Sequence, residues 1–408
     1  MHTRLLLVAL PAFGCGMGKR PQLERAAAPQ AGAPDDIAAA GQTACEAATR
    51  GWPENDRLDG IIEARMQAGR LPGLAACIVK DGDVAWCGGY GTTQADGGGV
   101  PVTADTPFLW ASVSKLVTAT AVGIAMESGH LSFEQDVDTL LEPTVQHPRS
   151  SRPIRLDAVL AHVGGIQDND RVMDDYYARD VDPRLSLAEV VDRYFDPEGA
   201  DYDPRRNFLA DGPESTNRYS NMGYALAGAA VAGATGVDFA AYTEQHIFEA
   251  LGMSNTGWRL AGFDQDRLAE PTSWRDGAWK GHGHTTFADY PNGGLRSSAH
   301  DMACFTAWAA RGGDLYGTRL LQTETLHKMM APAFPRLDPD QGLGWYYEDL
   351  GDPTLWVGHS GGEAGVASDL FMRQDGSLAI VLVANGDWGN EQAILDIEDA
   401  LVAFGREL

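Results

Sequence analysis

The chain has 408 residues, 44% of them hydrophobic and 22% charged, which supplies a large core and excludes a disordered or fibrous protein. Asp and Glu outnumber Lys and Arg by 57 to 31, a formal charge of −26, and that balance excludes a basic surface for nucleic acid or an anionic membrane. Most of the acidity reads as solvated surface.

Residues 1–14 read as an export signal: Arg4 precedes the apolar run Leu5 to Phe13, too short to span a bilayer, and Gly14-Cys15 follows at a small-residue cleavage point. Two fates stay open, a lipid anchor on Cys15 or ordinary cleavage near Ala26 to Ala28. Either makes the protein exported, as a periplasmic, membrane-anchored or secreted chain. Residues 15–54, rich in Ala, Pro and Gln, read as a linker. No later segment is long and apolar enough to cross a membrane.

The folded body starts near Asn55. Leu58, Ile61, Ile62 and Met66 predict a helix over Asp56 to Ala68, and Pro72-Gly73 ends it before a hairpin of Leu74 to Val79 and Val84 to Tyr90. The turn Asp81-Gly82-Asp83 sets Cys77 opposite Cys87, so a disulfide is expected there, with two buried thiols as the alternative; Cys45 and Cys304 are left unassigned. A second helix, Ala111 to Ser128, is apolar almost all round and belongs inside a domain. From 130 to 290 the pattern is helical: Leu156 to Ala161, Leu187 to Tyr194, Met222 to Ala234 and Phe239 to Leu251. Strands return at Leu343 to Tyr347, Thr354 to Val357, Ala367 to Met372 and Leu378 to Ala384, before a last helix from Glu391 to Phe404. The early hairpin cannot stand alone in water, so both ends of the chain should share one antiparallel sheet. The expected architecture is α+β: a sheet domain of residues 55–129 and 291–408 flanked by terminal helices, with an inserted all-helical domain of residues 130–290.

Ser112-Val113-Ser114-Lys115 puts an ammonium one helical turn from a hydroxyl, the arrangement that helps a weak nucleophile lose its proton. Tyr219-Ser220-Asn221 projects a phenol and an amide from the start of a small-residue helix. Gly358-His359-Ser360-Gly361-Gly362 fits the nucleophile-elbow pattern G-x-S-x-G, but no histidine follows Ser360, so that reading fails. The segment reads instead as an active-site edge strand with His359 and Ser360 facing substrate. No Cys/His array has metal-ligand spacing, and His282-Gly283-His284 near Asp289 reads as a solvated loop, so neither a metal nor a cofactor is expected.

In this order the three elements resemble serine hydrolases of the class C β-lactamase and penicillin-binding-protein type: S-x-x-K as Ser112 to Lys115, Y-x-N as Tyr219 to Asn221, and H-x-G for K-T-G as His359 to Gly361. Leu160 to Ile166 is similar to that family's LLTHTSGL segment, with Gly164 in place of a serine, and Asn292 to Asp301 to its GGL-S-D segment. The resemblance spans about residues 55–400 and implies a β-lactamase/transpeptidase-like fold with the active site between sheet and helices. It also implies that Ser112 is acylated, that Lys115 and Tyr219 share the proton traffic, and that Asn221 holds substrate and lysine. Substrate would lie along His359, Ser360 and Gly361, with the oxyanion held by the N–H groups of Ser112 and Gly362. An ammonium beside Tyr219 would lower its pKa from about 10. Because an imidazole is a weaker carboxylate anchor than lysine, a small ester, amide or D-amino-acid peptide fits better than a β-lactam. A sensor that acylates without turnover is the alternative.

Overall fold

The structure, a computed structural model, describes residues 43–408 except 96, 97, 143 and 352. The export signal, Cys15 and most of the linker lie outside the described residues. Helix α1 (Asp56–Gly69) starts where the Asn55 side chain accepts the Leu58 N–H and stops at Arg70 in the left-handed region. The hairpin follows as β1 (Gly73–Lys80) and β2 (Asp83–Gly91), with Cys77 opposite Cys87 and disulfide-bonded to it.

The predicted Ala111 to Ser128 helix is two pieces: a 3₁₀ turn over Ala111–Val113 and then α2 (Ser114–Glu127). Next come α3 (Asn221–Thr235) and α4 (Ala299–Ala310), then β3 (Tyr346–Glu348), β4 (Trp356–Glu363), β5 (Val366–Arg373), β6 (Leu378–Ala384) and α5 (Glu391–Glu407). One six-stranded antiparallel sheet runs β3-β4-β5-β6-β1-β2, so β1 bonds to β6 across nearly the whole sequence.

The two-residue period of β1 explains the layering. Leu74, Ala76 and Ile78 pack with α1 and α5 on one face; Ala75, Cys77 and Val79 join α2, α3 and α4 on the other. A second disulfide, Cys45–Cys304, ties the Ala44–Ala48 helix to α4 across 259 residues. Among the described residues no single helix is long and apolar enough to cross a membrane.

Three expectations need correction. The middle of the chain is not all-helical: Tyr177–Arg179 pairs with Thr285–Phe287, and Thr272–Arg275 with Ala278–Gly281. The strand expected at Leu343 to Tyr347 begins only at Tyr346, because Gly344 sits at φ 87° in a turn. The strand expected to end at Val357 runs on to Glu363, so His359 to Gly361 lies inside it. Glycines are poor strand formers alone, but full pairing with β5 holds them extended.

Candidate active site

The nucleophile turn is positioned by strain and by four bolts. Ala111 sits at φ 45°, a conformation a side chain seldom adopts, and the turn has no side-chain cap, leaving N–H groups at a helix start unbonded by any side chain. Trp110 donates its N–H to Leu295 O (2.9 Å) and its indole N–H to Ser297 O (2.8 Å). Leu295 N–H donates to Ser114 Oγ (3.0 Å), and Ser368 Oγ on β5 donates to Trp110 O (2.8 Å).

On that turn Ser112 and Lys115 stand three residues apart, and the Ser112 Oγ to Lys115 Nζ distance is 3.0 Å. Lys115 is fully buried. Its Nζ donates to Asn221 Oδ1 (2.8 Å) and to the Asn292 carbonyl (2.6 Å). Both partners accept only, so when the amine is neutral they take its two protons and its lone pair is left toward Ser112. Burial pushes Lys115 down to about 7, against the pull of Asp168, Asp289 and Glu363. Asp289 is also fully buried, and burial pushes it up to about 7.

Tyr219 Oη donates to Ser112 Oγ at 2.7 Å. Burial pushes its phenol well above the ordinary value, opposite to the sequence-based expectation, because Lys115 Nζ lies over the ring, 4.8 Å from its centre, and makes its bonds elsewhere. The Leu160 to Ile166 segment supports this tyrosine: the His162 ring lies 4.3 Å from the Tyr219 ring, and its Nδ1 accepts the Ser220 N–H. Asp168 completes the seat, accepting from Ser220 Oγ (2.8 Å), Asn221 N–H (2.8 Å) and Met222 N–H (3.0 Å) at the start of α3.

From the sheet side, β4 brings His359 within 6.3 Å of the Tyr219 ring, centre to centre. His359 Nδ1 faces Ser360 O at 2.5 Å, and a carbonyl takes only a donor, so Nδ1 holds the proton and Nε2 is left as an acceptor. Burial and Lys115 push this imidazole down to about 3; it is neutral. A Cβ on Gly361 would lie 2.5 Å from Trp110 O and 3.1 Å from Ser112 N, which is why a glycine stands where strand and nucleophile turn meet. Gly362 follows, paired with Ala367. Ser360 is held by Tyr346, whose hydroxyl donates to its Oγ (2.9 Å) and accepts its N–H (3.0 Å).

Asp168, Tyr346 and the Asn292 carbonyl escaped sequence reasoning. Asp168 follows the LLTHTSGL-like segment by two residues and has no signature of its own. His282 and His284 do not converge on a shared site: His282 bonds Ser273 Oγ, and the backbone of His284 bonds Asp180.

The Beta-lactamase family profile matches residues 58–403. Esterase EstB of Burkholderia gladioli is 30% identical over 280 residues, 60% of this chain and 67% of that protein. A putative D-alanyl-D-alanine carboxypeptidase of Escherichia coli O157:H7 is 26% identical over 71% of each chain. The octameric penicillin-binding protein homologue from Pyrococcus abyssi superposes with a TM-score of 0.70 at 21% identity, over 86% of this chain and 77% of that one. The D-amino acid amidase of Ochrobactrum anthropi gives 0.64 at 21% identity, over 85% and 99%. A match over most of the chain, on a fold that carries the three motifs to one point, makes this protein a member of the beta-lactamase family.

Proposed function

We propose that the protein is a serine hydrolase that forms an acyl-enzyme on Ser112 and releases it to water, acting on a small ester or amide of the esterase or D-amino-acid peptidase kind. The observation that carries this reading is the convergence on Ser112 Oγ of the Lys115 amine at 3.0 Å and the Tyr219 hydroxyl at 2.7 Å. Ser112 Oγ bonds to the substrate carbonyl carbon while its proton passes to Nζ of Lys115, and Tyr219 gives its proton to the departing alcohol or amine. The new ammonium, lying over the ring, then steadies the phenolate. Water gives one proton to that phenolate and attacks the acyl group; Ser112 Oγ leaves with the proton from Lys115.

The N–H groups of Ser112 and Gly362 would hold the tetrahedral oxyanion, and Asn221 and the β4 edge would hold the substrate. Neutral His359 offers a carboxylate no charge, so β-lactam hydrolysis is expected to be slow. Export of the chain is part of the same proposal, and the two disulfides suit an oxidising compartment.

A fluorophosphonate should label Ser112, located by peptide mass spectrometry, and a nitrophenyl ester or D-alanyl amide should turn over faster than nitrocefin. Label on Ser360 or nowhere would overturn the reading. A labelled protein that turns nothing over would be a sensor.

A further inference from the structure

Glu363 is the last residue of β4, directly after Gly362. Strand period puts it on the same face as His359 and Gly361, the face that meets the Ser112 turn, and its partner Val366 belongs to the core on that side. Its side chain is only partly buried. Its one hydrogen bond among the described residues is accepted from the Ala364 N–H (2.8 Å), and among them no ion pair involves it.

Lys115 acts on Glu363 through space, but its Nζ makes no hydrogen bond or ion pair to the carboxylate. Lys115 is engaged by Asn221, Asn292 and Ser112, and the imidazole of His359 is neutral. Burial raises the Glu363 pKa, which an incoming cation would reverse. Among the described residues no cation bonds the carboxylate, so a positive charge on the substrate would complete the contact.

We propose that Glu363 is a specificity-determining residue that binds an ammonium on the substrate, making aminoacyl esters or amides with a free amine the preferred class. This rests on the acyl-enzyme reading above for turnover, but not for binding. The test therefore uses the Ser112→Ala protein and calorimetry at pH 7, where an α-amine is protonated. D-alaninamide should bind about tenfold tighter than propanamide, which has the same shape without the ammonium. Adding Glu363→Gln should bring the two within about twofold, and salt should narrow the gap in the Ser112→Ala protein.

Where Glu363→Gln folds poorly by circular dichroism, Glu363→Thr gives the same comparison. Equal binding before the change, or a preference that survives it, would overturn the proposal. Labelling of Ser112 in the wild-type protein is read separately, so failure of the hydrolase reading and failure of ammonium recognition show up in different measurements.

Discussion

Ser112 and Ser273 both sit in polar clusters, and the two clusters are wired differently. Ser273 has the residue types of a serine-histidine-aspartate triad around it: His282 Nε2 at 2.7 Å and Asp387 Oδ2 at 2.5 Å from its Oγ. Its wiring is inverted. The carboxylate accepts the hydroxyl proton directly, so the imidazole nitrogen must donate to the same oxygen and cannot serve as its base. Ser273 is also buried in a hairpin strand. Ser112 faces the Lys115 amine and a phenol, on a strained turn at a helix start. Identity of neighbours does not make a nucleophile; the count of protons and lone pairs does.

The sharpest way to break that contrast is to remove each hydroxyl. Ser112→Ala should cut ester hydrolysis by about 10⁴-fold or more with folding intact, measured as kcat/KM beside circular dichroism. An active Ser112→Ala protein would leave Ser273 or another group as the nucleophile.

Lys115→Ala should cost about 10² to 10⁴-fold, and Lys115→Arg should not rescue, because a guanidinium has no lone pair to offer at working pH. The sign of the pH dependence follows from the same group. On the proposed mechanism Lys115 works deprotonated, and burial pushes it down to about 7, so wild-type kcat/KM should fall as pH drops below that value and level off above it. A profile still flat down to pH 5 would remove Lys115 as the base.

Gly361→Ala tests the close approach of strand and turn. The added carbon would lie 2.4 Å from Ser368 Oγ and 2.5 Å from Trp110 O, so the turn must shift. Activity should fall about 10²-fold, comparable to loss of one oxyanion donor, and stability by about 1–3 kcal/mol in denaturant unfolding. The smallest effect belongs to Ser273→Ala: hydrolysis within about twofold of wild type, and stability lower by about 1–2 kcal/mol for the lost buried hydrogen bonds.

Much of this was legible in one dimension. The spacing of Leu58, Ile62 and Met66 marked α1, the turn at Gly82 marked the hairpin and its disulfide, and the order of S-x-x-K, Y-x-N and H-x-G marked both the family and the residues that meet at Ser112. These are local signals, set by periodicity, turn chemistry and short motifs, and need no knowledge of distant contacts. The Cys45–Cys304 pair, the extension of β4 through its glycines and the three bonds made by Asp168 depend on segments far apart in the chain.

Proton states also lay beyond the sequence. Burial sets Lys115 near neutrality and drives Tyr219 the other way from the expected shift, and burial is a property of packing, not of spacing. The sequence by itself marked the three motifs that meet at Ser112; the tertiary structure added Asp168, Tyr346 and the Asn292 carbonyl, decided which groups hold a proton and set Glu363 on the β4 face of His359 and Gly361, because desolvation and strand pairing exist only once the chain has closed on itself.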